Sequence, residues 1–84
     1  MEKTIYTREY EAIVRQLRES RKKAGITQVE LAERLGLTQS MVSKIERGDR
    51  RLDIIELRTA CHAIGISLMD FVVSLEKKLG NRRR

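Results

Sequence analysis

Five glycines, at positions 25, 36, 48, 65 and 80, punctuate a chain of 84 residues that contains no proline. Each follows a stretch whose apolar residues recur at helical spacing, at the point where a helix end favours a left-handed residue. None lies inside such a stretch. Thr7, Thr27, Thr38, Asp53 and Ser67 supply the matching starts, and Thr27, Asp53 and Ser67 are each followed three residues later by an acid, the spacing of an N-terminal cap that closes on itself. With no alternating apolar run, the pattern predicts an all-α chain of five helices near 8–24, 28–35, 39–47, 54–64 and 68–79.

The same spacing assigns the buried faces. Tyr10, Ile13, Val14 and Leu17 form one stripe, and Leu31, Ala32 and Leu35 a second. Val42 and Ile45 make the third; Ile54, Leu57, Cys61 and Ile64 the fourth; Leu68, Phe71, Val72, Leu75 and Leu79 the fifth. Helices this short do not persist alone in water, so they must share one core. A chain of this length supports a single domain and buries about 60–65% of the surface its unfolded form exposes, which leaves little volume for a catalytic pocket. One domain is expected over 7–80, with 1–6 and 81–84 as mobile ends, the latter including Arg82, Arg83 and Arg84.

Other classes are disfavoured. No apolar run approaches the roughly 20 residues that span a bilayer, and MEKTIYTREY lacks the apolar middle of a signal peptide, so a cytoplasmic location is expected. Cys61 is the one cysteine and His62 the one histidine, which leaves neither an internal disulfide nor a histidine cluster for a metal. No cofactor is expected. There is no nucleophile beside a base and no glycine-rich phosphate loop, so an enzyme is the weakest of the available readings.

Net charge is +6, and the excess of Lys and Arg over Asp and Glu is three in residues 1–24, one in 25–52 and two in 53–84. That balance favours anionic partners but does not select one. The third helix does. Taking 100° per residue from Gln39, Ser43, Arg47, Ser40 and Lys44 lie at about 40°, 80°, 100° and 140°, while Met41, Ile45 and Val42 lie at about 200°, 240° and 300°. One side packs inward. The other presents an amide, two hydroxyls and two cations on a continuous strip, the chemistry that pairs with base edges. Helices two and three are joined by Gly36, Leu37 and Thr38 alone, a short turn with glycine as in a helix-turn-helix. Gln28, at the start of helix two, Thr38 and Arg47, at the ends of helix three, and Arg50 and Arg51, in the loop DRRLD, are candidate phosphate contacts. Asp49 dilutes the charge of that loop, and Arg50 and Arg51 can equally be read as solvated.

From about Arg15 to Phe71 the chain resembles the Cro and lambdoid-repressor (XRE-type) class of helix-turn-helix domains. The resemblance is carried by "LRESRKKAGITQVELAERLGLTQSMVSKIERG" and, after a loop, by "IIELRTACHAIGISLMDF". It implies a five-helix lambda-repressor-like bundle whose third helix enters the major groove, with Gln39, Ser40, Ser43 and Lys44 facing bases and Gln28 on a phosphate. It further implies an ion pair between Arg21 and Glu46, which the wheel allows by placing Glu46 at about 340°, between core and reading face. On that basis Glu46→Ala is expected to destabilise by about 1–3 kcal/mol. No ligand-binding or cleavage domain is expected after this segment.

Helix five has an apolar arc wider than one packed side requires, because Met69 and Val73 lie about 100° and 140° round from Leu68. It is read either as a dimer seam or as deeper burial. Two functions follow. The first is sequence-specific binding of double-stranded DNA, with a palindromic operator read by a homodimeric repressor or autoregulator. The second is an antitoxin or adaptor that occupies another protein through the arc of helix five. Arg82 to Arg84 are read as an appended terminus or, less favourably, a minor-groove arm.

Overall fold

A computed structural model describes residues 7–80; the ends at 1–6 and 81–84, with Arg82 to Arg84, lie outside the described residues. Five helices follow in order: α1 (Arg8–Lys23), α2 (Gln28–Leu35), α3 (Gln39–Glu46), α4 (Ile54–Ile64) and α5 (Leu68–Leu79). No strand occurs among the described residues. The fold is therefore all-α, and every start has the expected cap. The side chains of Thr7, Thr27, Thr38, Asp53 and Ser67 accept hydrogen bonds from the amides of Tyr10, Glu30, Met41, Glu56 and Asp70.

In α2 and α4 the box is complete, with Glu30 and Glu56 accepting from the amides of Thr27 and Asp53 at 2.8 and 3.1 Å. The hydrogen bond from the Thr27 backbone holds the Glu30 carboxyl below its ordinary pKa. At α5 only the forward bond from Asp70 to Ser67 is made; an aspartate side chain is one methylene shorter than the glutamate of a capping box.

Helices α1 and α3 end one residue before the spacing suggests, with Ala24 and Arg47 as caps and the left-handed step at Gly25 and Gly48 directly after them. At the corner between α2 and α3, Gly36 adopts φ 71°, and the next amide, of Leu37, bonds back to the Ala32 carbonyl at 2.9 Å. That left-handed step stops α2 and turns the chain within three residues. A side chain at Gly36 would have open space but a strained backbone.

All five helices supply the core. It consists of Leu17, Ile26, Leu31, Ala32, Val42, Ile45, Leu57, Ala60, Cys61, Ile64 and Phe71. Helix α2 packs on both α3 and α4, while α1 and α4 carry α5 between them. Ala32 and Ala60 are buried where these helices meet, and their small side chains admit close approach. Cys61 is buried too, and that burial pushes its thiol up to about 11, so it is a packing residue and a poor nucleophile near neutral pH.

Two residues assigned to buried stripes are on the surface instead. Ile54 is 60% exposed and Val72 38% exposed. Ile54 is the first residue of α4, one turn before the buried Leu57. Helix α5 leaves α4 at 104°, so of its apolar residues only Phe71 is fully enclosed. No single helix among the described residues is long and apolar enough to cross a membrane.

Candidate nucleic-acid interface

The two sides of α3 separate in space as they do on the wheel except at Met41, which was assigned inward but is 39% exposed because it lies at the edge of the packed arc, next to the polar strip. Val42, Ile45 and Glu46 are buried; Gln39, Ser40, Lys44 and Arg47 are exposed, and Ser43 lies at the boundary. Packing fixes which way the helix faces, because Val42 and Ile45 lose almost all contact with water and rolling the helix would expose them. Thr38 is exposed, and its hydroxyl oxygen accepts from the Met41 amide at 3.1 Å, which leaves its O–H as a donor.

Behind the exposed face lies a series of four polar side chains. Arg21, from the last turn of α1, donates from Nε to Glu46 Oε2 at 2.6 Å and from Nη2 to Oε1 at 3.0 Å. Its Nη1 donates to the Ile26 carbonyl at 2.8 Å, so one guanidinium joins the end of α1, the α1–α2 loop and the end of α3. The side chains of the pair are 8% and 2% exposed. Gln28 Nε2 donates to Glu46 Oε1 at 2.9 Å, and Gln28 Oε1 accepts from Gln39 Nε2 at 2.7 Å. The structure thus brings Arg21, Glu46, Gln28 and Gln39 into one hydrogen-bonded row running from the core to the exposed face of α3.

The basic loop after α3 is more constrained than its sequence suggests. Arg47 donates to Ser43 Oγ at 2.8 Å and to Asp49 at 3.1 Å. Arg50 pairs with Glu56 at 3.2 Å, while its Nη1 is buried with no hydrogen-bond partner among the described residues. Glu56 was legible as a cap, yet it serves twice, with one oxygen on the Asp53 amide and the other on Arg50.

Tyr10 of α1 holds the loop in place, its hydroxyl donating to the Arg50 carbonyl at 3.3 Å and accepting from the Leu52 amide at 2.9 Å. The Arg51 guanidinium lies 5.8 Å from the centre of the same ring, within the range of a cation–π contact. By spacing Tyr10 is only an apolar stripe residue, and a hydroxyl with two backbone partners 40 or more positions away leaves no local signal.

Gln16 was also missed. It is buried beside Leu17, and its Nε2 donates to the Phe71 carbonyl at 2.8 Å, tying α1 to α5. The remaining two candidates, Met69 and Val73, are 72% and 49% exposed and do not enter the core. With Val72 they form one apolar side of α5, far in sequence from the polar face of α3.

Residues 17–71 match the helix-turn-helix family model. An uncharacterized HTH-type transcriptional regulator, y4dJ, from Sinorhizobium fredii is 33% identical over 57 residues, which span 68% of this chain and 74% of that protein. Among solved structures, an XRE-family like protein from Pseudomonas syringae pv. tomato superposes with a TM-score of 0.81 at 47% identity, covering 89% of this chain and 92% of that one. The restriction-modification controller protein C.Esp1396I, crystallised as a tetramer in complex with its natural 35 base-pair operator, superposes with a TM-score of 0.79 at 26% identity over 87% and 96% of the two chains. With the corner at Gly36, the outward polar face of α3 and these likenesses together, the chain belongs to the XRE family of helix-turn-helix transcriptional regulators.

Proposed function

We propose that the protein binds double-stranded DNA sequence-specifically, as a homodimeric transcriptional regulator that lays the exposed face of α3 in the major groove. The observation that carries this reading is the division of α3, which buries Val42 and Ile45 in the core while Gln39, Ser40, Ser43 and Lys44 share the other side. Amide, hydroxyl and ammonium groups on one short strip provide donors and an acceptor for base edges. Around them Gln28, Thr38, Arg47, Arg50 and Arg51 are placed to meet the backbone. Gln28 opens α2, where helix N-termini favour phosphate, and its amide keeps one hydrogen beyond the bond to Glu46. The cations near Asp49 and Glu56 give less than their formal charge. The role requires no catalysis and no cofactor, and suits a cytoplasmic protein.

The test is a selection of binding sites from a random duplex pool at roughly physiological salt, where non-specific electrostatic binding fades and base readout persists. A palindrome with half-sites about one helical turn apart is expected. Gln39→Ala should then change preference at one or two base pairs by about 1–3 kcal/mol, leaving the rest of the site alone. An unaltered site would mean that the reading strip is misplaced.

The second copy is assigned to α5. Met69, Val72 and Val73 expose apolar surface there, with Ile54 and Ile55 at the start of α4 also exposed, and a two-fold pair presents two copies of α3 to a palindrome. Met69→Glu with Val73→Glu is expected to give a monomer in sedimentation velocity while the helical signal and melting temperature stay close to wild type. A wild-type protein that is monomeric both free and on its selected site would remove the seam and leave that surface to a different protein, as an antitoxin or adaptor would use it.

A further inference from the structure

A glutamine on an exposed helix face carries no fixed message. Turned over about its last bond it offers nitrogen where it offered oxygen, and the two arrangements suit different bases. Here the choice is made in the core.

Both oxygens of the Glu46 carboxylate are engaged by Arg21, and a carboxylate only accepts. Gln28 must therefore face it with Nε2, as it does at 2.9 Å, which turns Gln28 Oε1 toward α3. That oxygen also only accepts, so Gln39 must meet it with Nε2, at 2.7 Å. Gln39 is left with its oxygen and a single amide hydrogen for anything outside. An acceptor beside a donor matches the N6 amino group and N7 of adenine; guanine offers two acceptors on the same edge and would set the Gln39 oxygen against its O6.

We propose that Arg21 and Glu46 are positioning residues for base readout: acting through Gln28, they hold Gln39 in the orientation that selects adenine over guanine. This rests on the DNA-binding reading above. It also gives Gln28 a second task beside a phosphate contact, and it makes a pair that sequence assigns to structure into a determinant of specificity. Without the carboxylate the row beyond Arg21 has no fixed direction, because an amide at position 46 can give its oxygen to Arg21 and turn its NH2 toward Gln28.

The experiment is the same site selection, with affinities then measured for single base-pair changes. Gln39→Ala locates the base pair that Gln39 reads, and adenine is expected there. Glu46→Gln offers Gln28 a donor as well as an acceptor, so the row can reverse, and the preference for adenine over guanine at that base pair should fall roughly tenfold. Preferences at the base pairs read by Ser43 and Lys44 should not move.

Gln28→Ala breaks the row while leaving Arg21 and Glu46 paired, and should produce the same local loss on top of any general weakening. It decides the matter if Glu46→Gln does not fold. A pair that served stability alone would lower affinity for all sequences together and leave that ratio intact. Adenine preference kept within about twofold in the folded variants, or a base other than adenine at the Gln39 position, overturns the inference while DNA binding stands. A wild-type protein with no sequence preference removes the reading beneath it.

Discussion

Glu46→Ala is expected to destabilise the fold by about 3–5 kcal/mol, enough in a domain of this size to lower Tm by more than about 12 °C. Sequence alone supports a smaller figure, since it leaves the burial of Arg21 open. The structure shows two-point pairing with side chains 8% and 2% exposed, so the substitution strands a desolvated guanidinium. Its Nη1 would still reach the Ile26 carbonyl, but one neutral acceptor does not replace a carboxylate.

The cost arises from the unpaired charge more than from any net strength of the pair. Replacing both partners with apolar residues of similar volume, Arg21→Met with Glu46→Leu, is therefore expected to recover most of the loss. Urea unfolding followed by circular dichroism checks both. A single substitution that costs under about 1 kcal/mol, or a double one no better than the single, would mean that water reaches Arg21 and that the pair is effectively a surface one.

Phe71→Ala is expected to cost about 3–5 kcal/mol, and to act on one helix before the rest. Phe71 is the one residue that α5 buries fully, and its carbonyl accepts from the buried Gln16. The other contributions of α5 to the core, such as Leu68, are partial. Removing the ring opens a cavity at the junction of α1, α4 and α5 and leaves α5 with little to hold it.

Hydrogen exchange should therefore rise first along 68–79, and the self-association proposed for α5 should fail along with stability. Comparison with Met69→Glu and Val73→Glu separates the effects, since those changes touch an exposed face and are expected to abolish pairing at little cost to the monomer. If Phe71→Ala lowered stability without loosening α5 in particular, Leu68 and Gln16 would be carrying the helix.

Sequence specified more of the secondary structure than of the site. Thr27 with Glu30 and Asp53 with Glu56 form boxes closed within four residues, so nothing distant is needed to place those starts. Gly36 ends α2 by a preference internal to its own backbone. The outward direction of Gln39, Ser40 and Lys44 follows from Val42 and Ile45 alone, because apolar residues on one side of a short helix choose its facing.

Apart from Arg21 with Glu46, a pair that the family resemblance implies and the structure shows, candidate site residues were legible as types and not as partners. Arg47 and Arg50 read as phosphate cations, but their pairing with Asp49 and Glu56 depends on how the loop folds back. Val72 and Ile54 read as core because periodicity registers only the angle round a helix; whether a neighbour covers that angle depends on where the helices lie, Ile54 being at the first residue of α4 and Val72 beyond the 104° turn between α4 and α5.

What the sequence determined by itself is thus the set of five helices, their ends to within a residue or so, and the face α3 turns to solvent. Those rest on caps, glycines and apolar spacing, which act over a few residues. Tertiary structure alone decided which polar groups are buried, and with them the direction of the row from Arg21 to Gln39. Gln16 meets Phe71 and Tyr10 meets Leu52 across 55 and 42 residues of chain. A buried donor or acceptor is tolerable only when such a partner is in reach, and no local pattern announces that it will be.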